Sequence, residues 1–256
     1  MTRHVEHVMG TVFSFDVRDA RADSDVNTND AADPGARANA AVARAVAWLH
    51  HVDAVFSTYR PDSAISRLGR GEIELSECPP EVAQVLSLCA QTEHDTNGYF
   101  TTYPGGRLDP SGLVKGWAIE EASRILSEAG ARRHCVNGGG DIQLGPDPSP
   151  WRIGIAHPAR PGALCTVVTG HDLAIATSGS AERGPHILDP HTGRAADALL
   201  SITLVGPRLT AVDAFATAAF AMGDAARDWV EETSNLEAFA VTASGDTWRT
   251  RGFPAI

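Results

Sequence analysis

In the Ala-rich stretch TAVDAFATAAFAMG (residues 210–223), Asp213 and Thr217 stand one helical turn apart. Spacing of i, i+4 places both side-chain oxygens on one helix face, beside residues otherwise suited to a buried helix, which leaves a functional pair open. A local alternative uses Asp213 alone: Thr210 caps the helix and Asp213, three residues on, returns a bond to the cap's amide. That alternative leaves Thr217 without a role.

Three more stretches can carry chemistry. LDPSGLVKGWAIE (residues 108–120) sets Asp109, Gly112 and Lys115 at the entrance to a helix, where backbone amides and a Lys ammonium can hold phosphate. The alternative is a capped helix start with a solvated Lys, and the spacing is not that of a P-loop. In VNGGGDIQLG (residues 136–145), glycines let the backbone approach a ligand that Asn137 and Asp141 can hydrogen-bond, although a tight turn between two strands needs the same residues. ATSGSAERGPHILDPHTGR (residues 176–194) holds His186, Asp189 and His191: a histidine can take a proton from an attacking hydroxyl while a carboxylate orients it or binds metal. Against this, a satisfied core or surface position is the commoner fate of any one of ten histidines.

The elements that must position these residues follow from periodicity. TVFSFDV (11–17) alternates with Phe13, Phe15 and Val17 on one side, a half-buried strand. Helices are predicted from about Arg37 through Phe56, over PPEVAQVLSLCAQTEH, and over VKGWAIEEASRILSEAG up to a stop at Gly130. Further strands are predicted at HCVN (134), WRIGIA (151), ALCTVVTG (163), LAIATS (173), SITLV (201) and EAFAVTA (237). Helices and strands interleave without a βαβ beat, which predicts an α+β fold, one two-lobed domain with a mixed, largely antiparallel sheet and flanking helices. Residues 18–35 are polar, Asp-rich and aperiodic, and read as an exposed, flexible loop.

Composition narrows the function classes. The chain of 256 residues has a formal net charge of -11, which argues against a nucleic-acid or acidic-membrane binder. Cys78, Cys89, Cys135 and Cys165 are widely spaced and suggest neither a zinc site nor a disulfide framework, leaving reduced, mostly buried thiols. The start shows no signal segment or lipid-attachment cysteine, and no run approaches a membrane span, so a cytoplasmic protein is expected.

Taken together and in order, MGT (9–11), FSTYRPDSAISRL (56–68), DPSGLVKGWAIE, VNGGGD, TSG with HILDPHTG, and AVDAFATAAFAMG resemble the successive motifs of the ApbE family, the FAD:protein FMN transferases. The resemblance spans roughly Val8 to Gly223. It implies an ApbE-like fold and Mg²⁺-dependent transfer of FMN from FAD to a threonine hydroxyl of a partner carrying a D-x-x-[ST]-G-A-T type sequence, with release of AMP. The implied metal site falls on the Asp213 carboxylate, the Thr217 hydroxyl and the backbone carbonyl at Gly112, an all-oxygen set that suits a hard ion. Implied flavin contacts fall on Met9, Tyr59, Tyr99, Phe100, Thr101, Asp109, Lys115 and Ile187, and His186 matches the family's histidine as a general base. Asp213 and His186 are thus the expected catalytic residues. The chain departs from the pattern at Thr101, where the family usually has Asp, and between GYFT and LDPSG, where only TYPGGR stands in place of a longer insertion. The shorter connection implies a more open flavin side. Two other functions fit the same residues: an FAD pyrophosphatase giving FMN and AMP, and a non-catalytic flavin-binding protein.

Overall fold

A computed structural model of the chain describes residues 1–18, 34–181, 184 and 187–255. Most of the loop predicted at 18–35, and His186, lie outside the described residues. In chain order the elements are β1 (Thr2–Val8), β2 (Thr11–Val17), α1 (Pro34–Phe56), α2 (Ala64–Gly69), α3 (Pro80–Asp95), α4 (Ser111–Glu128), β3 (His134–Gly138), β4 (Asp141–Leu144), β5 (Trp151–Ala156) and β6 (Leu164–Gly170). They continue with β7 (Ala174–Gly179), β8 (Leu199–Gly206), α5 (Leu209–Met222), α6 (Ala226–Glu232), β9 (Glu237–Thr242) and β10 (Thr247–Arg249).

Eight strands form one sheet in the order β1-β2-β3-β4-β7-β8-β9-β10, and β5 pairs with β6 in a separate hairpin. Every pairing between these strands is antiparallel. The fold is therefore α+β as expected, with an antiparallel rather than mixed sheet. Short connections explain this, because two-residue loops join β1 to β2 and β3 to β4, and such loops permit only antiparallel neighbours.

Alternation decides which face each strand gives to the helices. Phe13, Phe15 and Val17 of β2 are fully buried and meet α1 and α4 in the main core, whereas Ile142 and Leu144 of β4 and Ile175 of β7 face a smaller core under the β5–β6 hairpin with Trp151 and Phe253. On β7, Ala174 and Ala176 turn the other way, toward α5. Small residues there and on α5 (Ala214, Ala216, Ala218 and Ala219, none accessible) let that helix lie close to the sheet.

The predicted strands and helices are all present, within a few residues at their ends. Periodicity passes over β1, β4, β10 and the short helices α2 and α6. The capping role expected for Thr210 is absent. Helix α5 starts at Leu209 with no side-chain cap; its first free amides are taken by other elements, Leu209 N donating to Gln143 Oε1 at 3.0 Å and Thr210 N to Glu120 Oε2 at 2.9 Å. Long-range acceptors thus replace the local capping box. The four cysteines are free; Cys89 is buried and the other three are half-buried.

Candidate functional site

Helices α4 and α5 pack against each other at a point where one of them has no side chain. A Cβ built on Gly116 would lie 2.5 Å from the Leu209 carbonyl oxygen and 2.7 Å from Asp213 Cβ, so only glycine permits this approach. The Gly116 amide uses the closeness: it donates to Asp213 Oδ2 at 2.9 Å. The preceding residue, Lys115, extends its ammonium to the other oxygen, Asp213 Oδ1, at 3.2 Å, and also pairs closely with Asp141 Oδ2. Asp141 stands at the start of β4, and its Oδ1 accepts from Thr177 N on β7 at 2.9 Å.

Lys115 and Asp213, singled out separately in the sequence, are therefore brought together, and Asp141 joins them. Asp141 was visible in VNGGGD as a polar group near a glycine turn, but its pairing with Lys115 carried no sequence signal. The rest of that stretch serves the turn. Gly139 and Gly140 have φ of 61° and 96°, which suits a tight hairpin, and Asn137 Oδ1 accepts from Gly140 N at 3.0 Å instead of facing a ligand.

Both carboxylates are nearly inaccessible, Asp141 at 2% and Asp213 at 4%, while the Lys115 side chain keeps 28% exposure. Burial lifts the Asp213 carboxyl well above the ordinary carboxylate range; the Lys115 ammonium pulls it back and the negative charge of Asp141 pushes it further up. Burial works against the Lys115 ammonium, yet the Asp213 and Asp141 carboxylates outweigh it and hold its pKa above the ordinary lysine value.

Thr217 lies half-buried one turn beyond Asp213. Among the described residues its hydroxyl has only distant partners, the Asp213 carbonyl at 3.4 Å and Ser178 Oγ at 3.5 Å, and so keeps a lone pair for something else. Gly112 opens α4 one turn before Gly116, with the Phe100 ring packed where its side chain would be. Among the described residues no three His, Cys, Asp or Glu side chains gather into a metal cage. Of the three oxygens expected at a metal, the Asp213 carboxylate and the Thr217 hydroxyl both stand on α5 one turn apart and Gly112 lies in the first turn of α4; an all-oxygen set of this kind suits a hard ion that retains water and phosphate ligands. A cation already stands beside the Asp213 oxygen, in the form of the Lys115 ammonium.

The other residues expected at the flavin stand on separate loops and turns and just before the start of α4. Met9 adopts φ of 53° in the β1–β2 turn and packs partly on the main core, an uncommon backbone for a residue with a side chain. Tyr59 is 98% exposed. Tyr99 meets the His191 ring edge-on at 4.5 Å, and His191 Nε2 contacts the Asn97 carbonyl, which ties the 187–196 loop to the end of α3. Phe100 is buried, Thr101 Oγ1 accepts from Tyr103 N at 3.1 Å, and Asp109 Oδ1 accepts from Ser111 N at 3.0 Å at the start of α4. Ile187 is half-buried against the main core. The short connection after Thr101 is a single turn, Pro104–Gly106, beside a Tyr103 that is largely exposed.

Comparisons with known proteins agree on one family. Its model, described as the ApbE family, matches residues 9–106 and 101–240. A Rhodobacter capsulatus FAD:protein FMN transferase is 29% identical over 205 residues, covering 76% of this chain and 36% of that protein. One from Escherichia coli K12 is 28% identical over 156 residues, covering 56% of this chain and 44% of that protein. The chain thus matches less than half the length of these curated relatives. Among solved structures, an ApbE protein from Thermotoga maritima superimposes with a TM-score of 0.79 at 20% identity, over 98% of this chain and 97% of that one. The flavin transferase ApbE of Vibrio cholerae gives 0.76 at 21% identity, over 100% and 99%. At these identities the structures bear on the fold, and the fold agrees. With its model matched from residue 9 to residue 240, the chain belongs to the ApbE family.

Proposed function

We propose that the chain is a Mg²⁺-dependent FAD:protein FMN transferase that moves FMN from FAD to a threonine hydroxyl of an acceptor protein and releases AMP. One observation carries the reading: a buried Lys115–Asp141–Asp213 cluster next to the underused Thr217 hydroxyl, with two carboxylates against one ammonium. With Asp213 ionised, the two buried carboxylates carry one negative charge more than the Lys115 ammonium balances, and burial makes that surplus costly unless a further cation binds. The relatives' names supply the flavin and the transfer.

In this reading Asp213, Thr217 and the Gly112 carbonyl hold the divalent ion, which when bound neutralises the FAD pyrophosphate. Lys115 presents a permanent positive charge to the same phosphates. Asp213 is fixed for its task by the Gly116 amide. The acceptor threonine oxygen forms a bond to the FMN phosphorus, the pyrophosphate P–O bond breaks, and AMP leaves with the electron pair. His186, assigned on its sequence match, takes the hydroxyl proton. Met9, Tyr59, Tyr99, Phe100, Thr101, Asp109 and Ile187 are the residues proposed to seat the flavin, with Tyr59 gaining on ligand binding the contact it lacks in the chain alone. The acceptor is a protein bearing a D-x-x-[ST]-G-A-T type sequence.

The test is mass spectrometry of an acceptor fragment after incubation with the protein, FAD and Mg²⁺. FMN added to threonine, abolished by a chelator, is the expected outcome. AMP release at the same rate with no acceptor would identify a hydrolase, and neither product would leave flavin binding alone.

The described residues contain no helix long and apolar enough to cross a membrane.

A further inference from the structure

We infer that Asp141 is a positioning residue that draws Lys115 off Asp213 when a divalent cation arrives, so that Lys115 is the resident cation of the site and exchanges for the metal. The inference rests on Asp213 being a cation ligand, as proposed above.

Each carboxylate in the cluster has one oxygen held by a backbone amide: Asp213 Oδ2 by Gly116 N and Asp141 Oδ1 by Thr177 N, both at 2.9 Å. Of the two Asp213 oxygens, Oδ1 is the one with no backbone amide on it among the described residues. That is the oxygen against which the Lys115 ammonium stands at 3.2 Å. A divalent ion and an ammonium on one oxygen repel strongly in so buried a setting, so Lys115 must withdraw. Asp141 offers it a destination without a change of backbone, since Lys115 already pairs with Asp141 Oδ2. Asp141 is itself held in place, being 2% exposed and anchored to β7 through Thr177.

Charge counting gives the consequence. With Asp213 ionised, as a metal ligand is, Asp141, Asp213 and Lys115 together carry one surplus negative charge. Neutralising Asp141 removes that surplus and leaves Lys115 with Asp213 as its sole carboxylate in the cluster; removing Lys115 adds to the surplus and frees the oxygen. Removing both restores the starting charge with no competitor on Asp213.

The experiment is titration of the full chain with Mn²⁺ in the absence of flavin, reading free Mn²⁺ by electron paramagnetic resonance. Asp141→Asn keeps an acceptor for the Thr177 amide and should bind Mn²⁺ at least about tenfold more weakly, and Lys115→Met at least about tenfold more tightly, a lower bound for one unit charge within a few ångströms of a divalent ion. The Asp141→Asn/Lys115→Met double variant should return to within about threefold of the parent, a recovery that mere structural damage at Asp141 would not allow. Undiminished affinity in Asp141→Asn, a double variant as weak as Asp141→Asn alone, or a Lys115→Met protein that binds no more tightly than the parent would each overturn the exchange. Should Asp141→Asn fail to fold, Lys115→Met decides alone. Asp213→Asn reports separately on the underlying reading: Mn²⁺ binding unchanged in that variant would remove Asp213 as a ligand.

Discussion

Helix α4 buries polar groups near both of its ends, and the two sets are satisfied in different ways. Near its start, Lys115 serves two carboxylates at once and leaves a negative charge over. Near its other end, Ser123 meets His134 of β3 in a fully buried neutral pair: His134 Nδ1 donates to the Ala131 carbonyl at 2.6 Å, which leaves Nε2 to accept from Ser123 Oγ at 2.7 Å. Every polar atom of the second pair has a partner, and nothing about it invites a ligand. The first set is incomplete in charge, and Thr217 beside it is incomplete in hydrogen bonding. Burial is common to both sets; the unbalanced pairing is particular to the first.

The largest expected difference between the two ends is in activity. Asp213→Ala should lower FMN transfer by more than about 100-fold, beyond what loss of a supporting partner around a metal usually costs, while FAD binding weakens less. Ser123→Ala should leave transfer within about twofold of the parent, since it lies outside the proposed site. A mass-spectrometric transfer assay on both variants checks the contrast, and normal transfer by Asp213→Ala would erase it.

Gly116→Ala is the next largest, and acts on the packing that makes the first end possible. The added methyl meets backbone at Leu209 and the Cβ of Asp213, neither of which can rotate away. Overpacking of this kind costs about 1–3 kcal/mol, a loss of roughly 2–4 °C in Tm for each kcal/mol in a chain of this size. The Asp213 carboxylate should shift with α5, so transfer falls along with stability. A thermal melt at parent Tm would show that the helices separate more easily than their contact implies.

How much of this was legible depended on whether a residue's partner was near it in sequence. Asp213 and Thr217 share a helix face at i, i+4, so their association could be read directly, and Gly130 ended α4 as its position suggested, with a positive φ. Strand β2 announced itself through Phe13, Phe15 and Val17. Strand β1 did not: the alternate positions Thr2, His4 and Glu6 toward the main core are polar and half-buried, as befits an edge strand, and its apolar Val5 faces out. Strand β4 is four residues long and buried on both faces, so it shows no alternation. The hidden part of the site has the same cause. Asp141 reaches Lys115 only because the β3–β4 hairpin returns the chain beneath α4, and the acceptors for the first amides of α5 come from Glu120 and Gln143, far away in sequence. Local capping rules see neither.

The smallest effect concerns the neutral end and distinguishes it by its response to pH. Burial lowers the His134 pKa, and the hydrogen bond to Ala131 opposes this only in part. The folded protein therefore keeps His134 neutral over a range in which the unfolded chain, with an ordinary histidine pKa of about 6.5, takes up a proton. Protons favour the unfolded state in that interval, so this contribution to stability is whole above about pH 6.5 and declines as the pH falls below it. Unfolding by denaturant at pH 7.5 and at pH 5 isolates it when the parent is compared with His134→Gln, which cannot gain a charge. At pH 7.5 the variant should be less stable by about 1–2 kcal/mol, the cost of disturbing a buried hydrogen-bonded pair. At pH 5 the gap should narrow, because only the parent has lost the histidine contribution. An equal gap at both values would mean that His134 accepts its proton in place, and that the end of α4 described as closed has room for a charge after all.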